Sequence, residues 1–216
     1  MSRTRSHWED VYGRKPGNEV SWFRPHLERS LGWIARLATP SDAVIDIGAG
    51  ASTLVDDLLD RGFSDLTVLD VSGVALAVTR TRLGDRAGKV CWIEADITAW
   101  RPERRYDVWH DRAAFHFMTT QAHQEAYVAA LHAGTRPGAL VVIGTSAPDG
   151  PDKCSGLPVQ RYSAESLAAR LGSDFQLLDH AREFHRTPWG SDQAFTFAAL
   201  RRRSIATEAA GWQGEA

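Results

Sequence analysis

Asp46, Gly48 and Gly50 close a short apolar run, Ala43–Ile47, and Asp70 ends the next apolar run twenty residues after Gly50. Glycines at such a place let backbone N–H groups come close to a ligand, and an acidic side chain ending the neighbouring strand accepts from ribose hydroxyls. These residues suit a nucleoside-bearing cofactor. A second set of reactive side chains, His110, Asp111, Arg112, Phe115 and His116, follows the fourth apolar run. Histidine titrates near neutrality, so His110 and His116 are candidate general bases, with a hydrogen-bonded structural imidazole as the alternative for each. Asp111 is a candidate acceptor for the cofactor's ammonium or for a substrate amine, and Arg112 reads as one half of a buried ion pair.

The elements that must position these groups are legible as apolar runs alternating with helix-period segments, the pattern of a mostly parallel sheet covered on both faces. Seven strands are predicted: Ala43–Ile47, Leu66–Leu69, Val90–Glu94, Tyr106–His110, Ala139–Thr145, Phe175–His180 and Gln193–Leu200. Helices are predicted over Ser52–Arg61, Gly73–Arg82, Thr120–Leu131 and Ala164–Leu171, with Ser52, Ser72, Thr120 and Ser163 as N-caps. Pro188 and Gly190 leave no long helix between the last two strands, which are expected to pair antiparallel at the sheet edge. The fold class is therefore α/β: a doubly wound, seven-stranded, mostly parallel sheet with an antiparallel last strand. Such sheets bind ligands at the carboxyl ends of their strands, where the strand order reverses.

Ahead of the first strand, Trp8 and Tyr12 lie four apart on one helical face, followed by Trp22 and Phe23. Residues 1–38 read as an aromatic lid plus a helix, residues 1–200 as one domain, and residues 201–216 as a flexible tail. Residues 147–158 form a long loop rich in turn residues at a strand's carboxyl end. With Lys153, Cys154 and Tyr162 it is the candidate substrate gate, and a plain surface excursion is its alternative. His185 and Trp189 stand where they could close the other side or pack an edge connection. Trp33 and Trp100 are assigned to the core.

Composition excludes several function classes. Net charge is −2 and the hydrophobic fraction 43%, so no dense basic surface for a nucleic acid is expected. Two cysteines without CxxC or Cys/His ligand spacing give no metal site and suit reduced thiols. No apolar run approaches a membrane span or a signal sequence, which leads to the expectation of a cytoplasmic protein, a monomer or homodimer, whose partner is a small molecule.

The order of strands, with Asp46-Ile47-Gly48-Ala49-Gly50 after the first, Asp70 after the second and Ala95-Asp96-Ile97 after the third, resembles a class I S-adenosylmethionine-dependent methyltransferase over roughly residues 40–200. That resemblance implies a Rossmann-like methyltransferase fold and S-adenosylmethionine as cofactor. It further implies that the glycine loop with Thr53 abuts the methionyl end, that Asp70 and Val71 hold the ribose, and that Asp96 and Ile97 lie by the adenine. A dinucleotide fingerprint would want a third glycine where Thr53 stands. The Trp8-x-x-x-Tyr12 spacing and Asp111-Arg112-Ala113 are similar to the thiopurine and thiol methyltransferase group; small lysine methyltransferases acting on translation factors also open on a tryptophan-containing segment. The function expected is methyl transfer to sulfur, nitrogen or oxygen of a small molecule. A protein lysine methyltransferase and a non-catalytic cofactor-binding module are the alternatives.

Overall fold

The computed structural model describes residues 3–14, 23–186, 190 and 192–204. Trp22, Trp189 and the tail beyond residue 204 lie outside the described residues, so the lid role of Trp22, the closing role of Trp189 and the flexibility of the tail carry no structural account. In chain order the described elements are α1 (Arg3–Arg14), α2 (Glu28–Leu37), β1 (Val44–Ile47), α3 (Leu54–Asp60), β2 (Leu66–Asp70), α4 (Gly73–Leu83), β3 (Val90–Glu94), β4 (Tyr106–Arg112) and α5 (Gln121–Gly134). They continue with β5 (Thr135–Ser146), the short strands β6 (Lys153–Cys154) and β7 (Leu157–Pro158), α6 (Ala164–Leu171), β8 (Phe175–Arg186) and β9 (Asp192–Arg202).

Seven strands form one sheet in the order β3-β2-β1-β4-β5-β9-β8, with β6 and β7 as a separate hairpin. The pairs β1·β2, β1·β4, β2·β3 and β4·β5 are parallel, and β9 runs antiparallel between β5 and the edge strand β8. This is the Rossmann-like methyltransferase fold that the strand–helix alternation predicts. Strands β1 and β2 are buried at every position because helices cover both faces, which is why they read as unbroken apolar runs. One face packs Val44, Val68, Val108 and Val142 against α2, α3 and α4. The other packs Ile45, Ile47, Trp109 and Val141 against Tyr127 and Leu131 of α5 and Leu167 and Leu171 of α6. Trp33 is buried in the first core, and Trp100 packs half-buried against the second.

Three predicted N-caps hold. Ser72 accepts from the Ala75 amide, Thr120 from that of His123, and Ser163 forms a capping box with Ser166. Ser52 stands one residue further out: α3 begins after Thr53, whose side chain caps nothing, and Ser52 Oγ accepts from the Leu54 amide. The last two strands are longer than predicted. β8 continues to Arg186 past a bulge between Leu177 and Asp179, and β9 continues to Arg202, where Arg202 donates to the carbonyls of His132 and Thr135. Polar residues alternate along this edge strand because one side faces water, so no apolar run marks it.

Candidate cofactor pocket

The carboxyl ends of β1 to β4 open into one cleft of about 1100 Å³, placed at the reversal of strand order between β1 and β4. After β1 the chain makes a tight turn, with Gly48 at φ 61° and Gly50 at φ 53°. Both glycines are required twice over, by the left-handed backbone and by space. A Cβ on Gly48 would stand 2.5 Å from that of Ala114, and one on Gly50 would run into the Tyr12 hydroxyl.

The Gly50 amide does not face the cleft. It donates to Asp70 Oδ2 at 2.8 Å, while the Ser72 amide donates to Asp70 Oδ1 at 2.8 Å, so the carboxylate ties the glycine turn to the end of β2. Burial pushes the Asp70 carboxyl up from 3.8 to about 6, against the lowering effect of those two amides. An ionised carboxylate has about four acceptor sites, so Asp70, which lines the cleft, keeps capacity for ribose hydroxyls. Val71, Asp96 and Ile97 line the same end; Asp96 Oδ1 accepts from both the amide and the hydroxyl of Thr98.

Helix α1 roofs the glycine turn. Trp8, Tyr12 and Phe23 line the cleft, Trp8 packs edge-on against Phe117 at 5.1 Å, and Arg5 forms an ion pair with Glu94. The apolar face of α1 rests on Ala51, Ala75 and Val78. The strap of residues 23–27 ahead of α2 is held by Arg24, which donates to His185 Nδ1 at 3.1 Å and pairs with Glu183.

Strand alternation separates the reactive side chains of β4. His110 and Asp46 are register partners on adjacent parallel strands, so both side chains emerge on the face that α2 covers. His110 Nδ1 lies 2.6 Å from Asp46 Oδ1 and Nε2 lies 2.8 Å from Ser30 Oγ, with the imidazole 1% exposed. Both ring nitrogens are committed, which corrects the reading of His110 as a free base, although it does line the cleft. Asp111 points to the opposite face. It accepts from the Tyr127 hydroxyl at 2.6 Å and from the amides of Ala114 and Phe115, while Trp109 Nε1 donates to the same hydroxyl. Asp111 is fully buried and not part of the cleft wall, so the catalytic and cofactor roles read for it are corrected: it shapes the turn after β4, in which Ala113 takes φ 70°.

His116 is likewise buried, with Nδ1 accepting from the Ser146 amide, and burial pushes its imidazole down to about 3. It does not reach the cleft wall, so it is no general base there. Thr53 is corrected too, since its hydroxyl donates to the Arg24 carbonyl and holds the strap. Sequence reasoning missed Thr4, Leu27, Ser52 and Met118 on the wall, and read Arg24 as nothing. Only the fold brings these together, apart from Arg24, whose place beside the predicted Trp22-Phe23 pair was a usable signal. Cys154, carried in by the β6–β7 hairpin, lines the cleft with its thiol pushed up by burial, so the predicted gate does reach the opening. Arg112 also lines it, its guanidinium depressed by burial. Among the described residues no cluster of His, Cys, Asp and Glu could hold a metal ion, and no helix is long and apolar enough to cross a membrane.

The cleft fits a nucleoside with a charged amino-acid tail. Asp70 and Asp46 both line it, and Asp46 Oδ2 is buried without a hydrogen-bond partner among the described residues. Known proteins share parts of this sequence and fold. The family model described as a methyltransferase domain matches residues 44–138. The eEF1A lysine methyltransferase 2 of Danio rerio is 28% identical over 156 residues, 65% of this chain and 67% of that protein. The eEF1A lysine and N-terminal methyltransferase of Bos taurus is 22% identical over 120 residues, and the match takes in 55% of this chain but only 17% of that longer protein. The solved 1,6-didemethyltoxoflavin-N1-methyltransferase of Burkholderia thailandensis, with S-adenosylhomocysteine and its substrate bound, superposes with a TM-score of 0.70 at 22% identity, covering 93% of this chain and 88% of that one. Residues 44–138 therefore match a methyltransferase domain, and the chain has the Rossmann-like fold of the class I methyltransferases.

Proposed function

We propose that this methyltransferase moves a methyl group to sulfur, nitrogen or oxygen of a small molecule. The observation that carries the reading is the roof: α1 and residues 23–27 cover one cleft whose wall carries the cofactor residues together with Arg24, Arg112, Met118 and Cys154. S-adenosylmethionine supplies an electrophilic methyl carbon on a sulfonium, open to in-line displacement. The chain's task is then to hold a nucleophile in line and to exclude water, worth on the order of 7–11 kcal/mol in favourable intramolecular systems. Asp70, Val71, Asp96 and Ile97 hold the nucleoside, Asp46 and the glycine turn face the methionyl end, and Trp8, Tyr12 and Phe23 cover it. With both ring nitrogens of His110 committed and His116 off the cleft wall, the acceptor reacts as a thiolate, a neutral amine or another group that loses its proton to solvent.

Two likenesses support a small acceptor. One is the Trp8-x-x-x-Tyr12 and Asp111-Arg112-Ala113 likeness to thiopurine and thiol methyltransferases; the other is the near full-length superposition on an enzyme solved with a small heterocyclic substrate. The curated relatives named for methylating eEF1A favour a protein lysine acceptor instead. Incubation with methyl-labelled S-adenosylmethionine and either a metabolite extract or a proteome separates the two. Label in small molecules supports the proposal, and label confined to a protein band replaces it with the lysine reading. Tight cofactor binding with no transfer in either pool leaves a non-catalytic binding module.

A further inference from the structure

Three elements meet at the imidazole of His110. Ser30 comes from α2 and is 1% exposed, Asp46 from the end of β1 and is 4% exposed, and His110 from β4 lies between them. An ionised carboxylate only accepts, so Nδ1 carries the proton and donates to Asp46 Oδ1. In the neutral ring Nε2 then accepts, and the Ser30 hydroxyl donates to it. One Asp46 oxygen is thereby anchored through a directed chain of hydrogen bonds. Asp46 lines the cleft, and its other oxygen, Oδ2, is buried with no partner among the described residues. A buried acceptor left unmade is costly, and a charged donor is the partner that compensates it most.

The arrangement has the order of a Ser–His–Asp nucleophilic triad, but Ser30 is sealed under α2 and is not on the cleft wall, so no substrate can reach its oxygen. Its use is orientation. We propose that Ser30 and His110 are positioning residues that hold the Asp46 carboxylate with Oδ2 presented to the α-amino group of the bound cofactor, so that the chain distinguishes a ligand carrying that amine from one lacking it. This rests on the cofactor reading above and adds to it residues from α2 and β4 that touch no part of the ligand's nucleoside.

The test is calorimetric titration of the full chain with three ligands: S-adenosylhomocysteine, its deamino analogue, and 5′-methylthioadenosine, which lacks the amino-acid tail. The unsubstituted protein is expected to prefer S-adenosylhomocysteine to the deamino analogue by about 10- to 100-fold, the range of a hydrogen bond to a charged group. In His110→Ala that preference falls to within about threefold, while affinity for 5′-methylthioadenosine stays within about twofold. His110→Asn, whose side-chain amide can donate from near the Nδ1 position, keeps most of the preference; Ser30→Ala gives an intermediate value. An undiminished preference in His110→Ala overturns the proposal, as does its absence in the unsubstituted protein. If His110→Ala does not fold, Ser30→Ala decides: an intermediate preference supports the relay and an unchanged one overturns it. Failure of all three ligands to bind would instead overturn the cofactor reading itself.

Discussion

Replacing Asp70 by asparagine separates the cost of burying a carboxylate from its use. In the unfolded chain this carboxyl ionises near 3.8, and in the fold near 6, because burial outweighs the two amides that donate to it. Between those values the native state holds more protons than the unfolded state, so the contribution of Asp70 to stability falls as pH rises through that window. The gap of about 2.2 pH units, at about 1.36 kcal/mol each, is about 3 kcal/mol by pH 7. A side-chain amide in its place does not titrate. Whatever the fixed effect of exchanging one acceptor oxygen for a donor, the stability difference between the Asp70→Asn variant and the parent should move by about 3 kcal/mol in favour of the variant between pH 3.5 and pH 7. For a chain of this size that corresponds to about 6–12 °C in relative Tm. Denaturant unfolding at a series of pH values measures it. Binding should move the other way, S-adenosylhomocysteine losing about 10- to 100-fold in affinity at pH 7 as the ribose hydroxyls lose a charged acceptor. A stability difference flat in pH, or one favouring the parent as pH rises, would refute the argument that Asp70 is held ionised at a desolvation cost.

Three other substitutions probe the roof and its support. Gly50→Ala forces an alanine to φ 53° and drives its Cβ into the Tyr12 hydroxyl, so thermal unfolding should show a loss of about 1–3 kcal/mol together with weaker S-adenosylhomocysteine binding; a fully stable variant with parental affinity would remove the close approach of α1. Trp8→Ala deletes the edge contact with Phe117 and should weaken cofactor binding by up to about tenfold while Tm changes by only a few degrees; a large drop in Tm with unchanged affinity would make Trp8 a packing residue. Tyr127→Phe removes the hydroxyl that joins Trp109 to Asp111 and should cost about 1–3 kcal/mol with cofactor affinity within threefold. Collapse of affinity at unchanged stability would return Asp111 to the ligand.

The sequence by itself determined the layered α/β fold, the glycine turn, the acid that ends β2 and the Asp96 that follows β3, because buried parallel strands are unbroken apolar runs and a turn against a nucleoside needs glycine within a few residues of the strand. Trp8, Tyr12, Phe23, Asp46, Gly48, Asp70, Val71, Asp96, Ile97 and His110 were legible in this way, and all line the cleft. The tertiary structure decided which neighbours of these residues do something else. His110 and Asp111 are adjacent in the chain, and the alternation of a strand sends one to α2 and the other to α5, so that only His110 lines the cleft. His116 and Thr53 lie within a few residues of the site and are turned away from it, one under β5 and one onto the strap. No local pattern marks Ser30, eighty positions from His110, as its partner. Spacing along a chain encodes which element a side chain belongs to, whereas the partner across the sheet, and with it the charge, burial and purpose of that side chain, is set only when α2 closes over β1 and β4.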